Sequence, residues 1–164
     1  MLLIAVLGAV VYLMTAEPAS APPVVPAESA AEAAPPRAPE AQVPSGRFTT
    51  AVEVRPILDA TRASWVAVRE YEGRDLLYFT QILSWRCGLR EVRYGLNGAP
   101  PDTPVPLEPC HEDTASPNAL VDVEGFPPHV EAPLGSIQSV DVTIVYDDGS
   151  EDGAVFARTS VLMP

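Results

Sequence analysis

Cys110-His111-Glu112-Asp113 places a thiol, an imidazole and two carboxylates on four consecutive positions, and the other cysteine is Cys87. Three chemistries use such residues. The first is a disulfide between Cys87 and Cys110, the simplest reading of an even pair of cysteines in an exported chain. The second is a metal site, but a structural zinc site takes four ligands at paired spacings. The chain has no C-x-x-C and no H-x-x-x-H. The third is a nucleophilic Cys110, which needs a base such as His111 or His129 within hydrogen-bonding reach. The disulfide is the expectation, and Cys110, His111, Glu112 and Asp113 then form a candidate interaction loop.

A second group lies near the C-terminus, in Asp147-Asp148-Gly149-Ser150-Glu151-Asp152-Gly153. Set against the EF-hand pattern, Asp148, Ser150 and Asp152 fall on ligand positions, with Gly153 at the sharp turn. The residue at the twelfth position is Thr159 rather than a bidentate glutamate, and both flanks alternate like strands. A solvated hairpin tip accounts for the run, and its charges also discourage edge-to-edge association. No metal and no cofactor is expected. Gly-rich phosphate loops, a G-x-S-x-G elbow and H-E-x-x-H are all absent from the sequence.

The elements that must position these residues read as β. Trp65–Tyr71 is a short β-branched and aromatic run that ends at Glu72-Gly73-Arg74-Asp75, a turn-like cluster. Leu76 to Trp85 is apolar all round a helical wheel, which favours a central strand covered on both faces over a buried helix ended by Gly88. Val92, Tyr94 and Leu96 alternate with Arg93 and Gly95 before Asn97-Gly98, a tight-turn signal. Val140, Val142, Ile144 and Tyr146 alternate up to Asp148-Gly149, and Ala154-Val155-Phe156-Ala157 returns. Between them, residues 99–118 hold six prolines, the mark of a long irregular excursion.

Val92-Arg93-Tyr94-Gly95-Leu96-Asn97-Gly98 resembles the strand and turn of immunoglobulin-like modules appended to bacterial surface and carbohydrate-active proteins. The resemblance covers seven residues and implies a sandwich, with no ligand attached to it. The expected fold is therefore all-β, a small antiparallel sandwich (immunoglobulin-like) or barrel.

Residues 1–16 carry no charged side chain and read as a signal peptide or an N-terminal membrane anchor. Ala19-Ser20-Ala21 offers a cleavage motif, but Pro22 would follow the scissile bond. Residues 17–46 contain eight prolines and nine alanines, and read as a disordered Pro/Ala-rich linker ahead of a β domain at 47–164.

Net charge is −12, with all ten basic residues arginine, and residues 94–164 alone carry −11. That balance opposes nucleic acid, which demands clustered cations. The expected location is the bacterial cell envelope, inner-membrane anchored with the domain in the periplasm, or secreted there after cleavage. The expected role is a non-enzymatic module that binds an envelope protein or polymer. Two alternatives are an accessory subunit of a membrane complex, and a periplasmic hydrolase or transferase that uses Cys110 and His111.

Overall fold

A computed structural model describes residues 38–164, so the expected apolar helix at 1–16 and the linker up to residue 37 lie outside the described residues. Among the described residues no helix is long and apolar enough to cross a membrane. The elements, in order, are α1 (Ala51–Ala60), a 3-10 turn (Arg62–Ser64), β1 (Ala67–Tyr71), β2 (Arg74–Tyr78) and α2 (Thr80–Leu83). A second 3-10 turn (Arg86–Gly88), β3 (Leu89–Leu96), β4 (Thr103–Pro104) and β5 (His129–Pro133) follow. The last are β6 (Ser139–Tyr146), β7 (Glu151–Ala157) and α3 (Arg158–Val161). The described chain is mainly β, with two antiparallel sheets ordered β1-β2-β5 and β4-β3-β6-β7.

Turn chemistry sets the registers. Tyr71 pairs with Arg74, leaving Glu72 and Gly73 as a two-residue loop, both at positive φ (48° and 77°). That mirror-image turn matches the twist of the flanking strands. Asn97 (φ 56°) and Gly98 (φ 84°) close the end of β3 in the same way. The β6–β7 hairpin turns through Asp147-Asp148-Gly149, with Gly149 at φ 84°. Val140, Val142 and Ile144 of β6, each fully buried, alternate with part-exposed Asp141 and Thr143, as the period-two pattern requires.

The apolar run from Leu76 to Trp85 departs from the single strand expected. β2 stops at Tyr78, Phe79 turns the chain, and α2 and the second 3-10 turn follow. Phe79, Ile82 and Leu83 are all buried. A segment covered on every side carries no periodic stripe to separate strand from helix. α1 is a helix in a region expected to be β. It buries Ala51, Val54 and Leu58 at helical spacing, while Pro56 takes an exposed position. Glu53 accepts hydrogen bonds from the Thr50 hydroxyl (3.0 Å) and from the backbone N–H groups of Ser45, Gly46 and Thr49. Glu40 N–H also donates to the Asp147 carbonyl at 3.1 Å. Residues 40–46, linker by composition, are thus tied to the domain, because their backbone donors find buried or folded acceptors.

Both sheets contribute to one core, which includes Val68 and Leu77 from the first, Val92, Val142, Ile144 and Phe156 from the second, and Trp65. The Trp65 indole, fully buried, donates to the Leu58 carbonyl at 2.8 Å and so locks α1 to the first sheet. Gly88 permits a close approach to α1. A Cβ there would lie 2.6 Å from Val54 Cγ2 and 2.8 Å from the Thr50 carbonyl oxygen.

One polar cluster joins the sheets. Asp75 of β2 is fully buried and accepts two bonds from Arg158 (2.7 and 3.0 Å), one from Gly135 N–H and one from Ile137 N–H (both 3.1 Å). Arg158 also donates to Glu70 of β1 at 2.6 Å and to the Ile137 carbonyl at 2.8 Å. The Arg158 hydrogen bonds, with those from Gly135 and Ile137, overcome the cost of burial and hold the Asp75 carboxyl at about 2. For Glu53, burial pushes upward, but the Thr50 hydroxyl and the three backbone donors outweigh it and also hold that carboxyl at about 2.

Replacing Arg158 by Met strands a buried carboxylate and is expected to destabilise the domain by about 3–5 kcal/mol in denaturant titration. Because Asp75 and Glu53 are depressed from ordinary values of 3.8 and 4.5, their stabilisation is complete above about pH 5 and is lost as pH falls towards 2. Melting temperature against pH should drop through that window. In the Arg158→Met variant the drop should begin at higher pH.

Candidate binding surfaces

The proline-rich excursion leaves β3 at Asn97-Gly98, pairs briefly as β4, and reaches β5 only at His129. Residues 105–128 contain no strand or helix, so their backbone groups need other partners. Arg86 supplies them. Its guanidinium, only 2% exposed, donates to four carbonyls: Glu108 (2.6 Å), Asn118 (2.7 Å), Pro109 (3.1 Å) and Ala119 (3.0 Å). Its neighbour Cys87 forms the expected disulfide with Cys110, with Cα atoms 5.1 Å apart. Cys87 N–H donates to the Asn118 side chain at 2.9 Å, and Asn118 in turn donates to the Phe48 carbonyl at 2.8 Å.

Glu108, 4% exposed, answers from inside the loop. Its carboxylate lies 3.8 Å from Arg86 Nη2, 2.7 Å from His111 Nε2, and accepts from Val121 and Asp122 N–H at 3.1–3.2 Å. Burial raises this carboxyl, but the His111 bond, the two backbone donors and the Arg86 charge together hold it below its ordinary value. Loop geometry therefore rests on two adjacent residues, Arg86 and Cys87, and one carboxylate.

The sequence candidates separate accordingly. Cys110 is in the disulfide and offers no thiolate. His111 is half-buried and faces Glu108. Glu112 and Asp113 are exposed, and Arg47 holds the backbone there by donating to the Glu112 and Thr114 carbonyls (2.5 and 2.6 Å). Glu108 and Arg86 escaped the sequence reading, because a lone glutamate among prolines carries no signal of burial.

At the β6–β7 tip, Asp148 accepts from Ser150 N–H (2.9 Å) and the Ser150 hydroxyl, with Arg55 at 3.8 Å. Asp152 accepts from the Tyr146 hydroxyl (3.0 Å) and lies 3.7 Å from Arg55 and 3.6 Å from Arg62. Arg55 stacks over the Tyr146 ring at 4.4 Å. Among the described residues, no group of three or more His, Cys, Asp and Glu is arranged to hold a metal ion.

A third surface is the outer face of the first sheet. Strand register brings Ala67, Tyr78 and His129 into one row, Arg69, Leu76 and Glu131 into the next, and Tyr71, Arg74 and Pro133 into a third. His129, a candidate base in the sequence, opens β5 and lies half-buried with its ring 5.1 Å from that of Tyr78. Two clefts of about 440 and 410 Å3 meet here and share Arg69 and Tyr78.

Comparison with known proteins finds no matching family model, no matching curated protein and no matching solved structure. The chemistry of these surfaces rests on the geometry alone.

The disulfide closes a sequence separation of 23 residues. Its loss in Cys87→Ser is expected to cost about 3 kcal/mol, or roughly 10 °C in melting temperature. Limited proteolysis of that variant should cut first between residues 105 and 122. Unchanged melting would show that the Arg86 contacts suffice without the bond.

Proposed function

We propose that the chain is an exported, non-enzymatic binding module of the bacterial cell envelope, with the proline-rich loop as its contact surface. The observation that carries this reading is the loop itself. It lacks regular structure, yet it is pinned by a disulfide, by four hydrogen bonds from a buried arginine and by a buried carboxylate. Ordering a flexible loop opposes association, and a loop ordered in advance avoids that cost. Its outward residues, Glu112, Asp113, Thr114, Ala115 and Ser116, are free to meet a partner.

Other observations support the setting. A disulfide is compatible with an oxidising, extracytoplasmic location. In the proposed arrangement residues 1–16 direct export, as a cleaved signal or a retained anchor. The two sheets act as an immunoglobulin-like sandwich that carries the loop. With Cys110 oxidised, the hydrolase alternative loses its nucleophile.

The test is co-sedimentation of the full chain with purified peptidoglycan, paired with cross-linking in isolated envelopes. The expected result is capture by wild type that falls about tenfold or more, roughly 1.4 kcal/mol, when Glu112 and Asp113 are both replaced by Ala. Capture that is indifferent to those substitutions and to Cys87→Ser would remove the loop from the contact. Absence of any partner among envelope proteins and polymers would reject the reading.

A further inference from the structure

We propose that the outer face of the β1-β2-β5 sheet is a second binding site, separate from the proline-rich loop, which takes a short peptide segment carrying a carboxylate side chain opposite Arg69.

Arg69 is the basis of this assignment. The other described arginines have a protein acceptor: carboxylates for Arg55, Arg62, Arg74, Arg86, Arg93 and Arg158, and carbonyls for Arg47 and Arg90. Arg69 has neither. It is exposed, and its guanidinium rests 5.2 Å from the centre of the Tyr71 ring. Stacking on an aromatic face restrains the planar group and leaves its fork of donors open. Of the residues that line the larger cleft Arg69 alone is charged, whereas Glu72 and Glu131 line the smaller one, so an anion is favoured on the side of the larger cleft.

The surroundings define the ligand. Arg74 is answered by Glu131 at 3.3 Å, and among the described residues no acid pairs with Arg69. Leu76, only 8% exposed, closes the floor beneath it. The larger cleft continues past Tyr78 to Ala67, Thr80, Gln81 and exposed Met163, an apolar wall with a polar rim. At about 440 Å3 it falls in the range of small-ligand sites. A single open guanidinium beside such a wall suits one carboxylate next to an apolar side chain. A polyanion is disfavoured, because nucleic acid or an anionic bilayer would meet the rest of an acidic surface.

The test uses the full 15N-labelled chain in a nonionic detergent and two probes, acetyl-Val-Glu-Phe-amide and its Gln counterpart. The Glu peptide is expected to shift the amide resonances of residues 67–71 and 78–81. Its dissociation constant should be on the order of 1 mM, as one exposed charge-assisted contact and a small apolar area allow. The Gln peptide, Arg69→Gln, and a rise in salt should each weaken binding about fivefold or more. Arg69→Lys, which keeps charge but loses the fork, should fall between. Because residue 69 is exposed, an unchanged spectrum elsewhere will confirm that both variants fold. Equal shifts from the two peptides, shifts confined to other residues, or no shifts at about 10 mM, far above that affinity, would overturn the proposal. So would shifts from glycerol 1-phosphate with the Glu peptide silent, which would assign the face to lipid headgroups.

Discussion

The contact between Asp75 and Arg158 is the constraint on which the rest of the molecule depends. A carboxylate taken fully out of water is tolerated only if its charge and lone pairs are answered. Asp75 meets that condition with two guanidinium bonds and two backbone N–H bonds. Those four donors come from the turn between β5 and β6 and from the residue that opens α3. Satisfying one side chain of β2 therefore fixes where β6 begins and where β7 ends relative to the first sheet. Glu70, one register position across on β1, is drawn into the same cluster. The outer face of that sheet, with Arg69 and Tyr78, is held in place from beneath.

A similar economy governs the acidic hairpin tip. Asp147 is 4% exposed and accepts from Ala51 N–H, the first residue of α1, at 2.9 Å and from the Gln42 side chain at 2.8 Å. A carboxylate at a helix N-terminus satisfies an otherwise unpaired donor and opposes the macrodipole. Asp148 and Asp152 are committed to Ser150, Tyr146 and the arginines of α1 and the turn after it. Five of the twelve acidic residues of 94–164, namely Glu108, Glu131, Asp148, Glu151 and Asp152, thus pair with arginines of residues 47–93. Among the described residues Arg69 stands out because no acid pairs with it.

The proline-rich excursion shows how a segment without secondary structure becomes ordered. Prolines remove donors and forbid a ladder, so carbonyls outnumber N–H groups. Arg86, with five N–H donors and no acceptor, is matched to a loop rich in unpaired carbonyls. The disulfide alone would close the loop without setting its path. Arg86 and Glu108 set the path, and they do so from a buried position where water cannot compete.

Local chemistry is what the sequence alone determined. Period-two alternation and Gly-containing turns made β3, β6, β7 and the Glu72-Gly73 turn legible, because these signals act over a few residues. The cysteine pair was legible because only two are present. What it could not determine were properties of burial and long-range pairing. The segment after Tyr78 is wrapped on all sides and loses its period, and α1 was masked by Pro56 and by the linker-like residues before it. Its one local sign, Thr50 followed three residues later by Glu53, is a short capping pattern that composition hid. Tertiary structure alone decided that Arg86 would be buried, that Glu108 would meet it, and that among the described residues no acid would pair with Arg69. Each outcome depends on residues from distant elements arriving at one point, and no local pattern encodes that arrival.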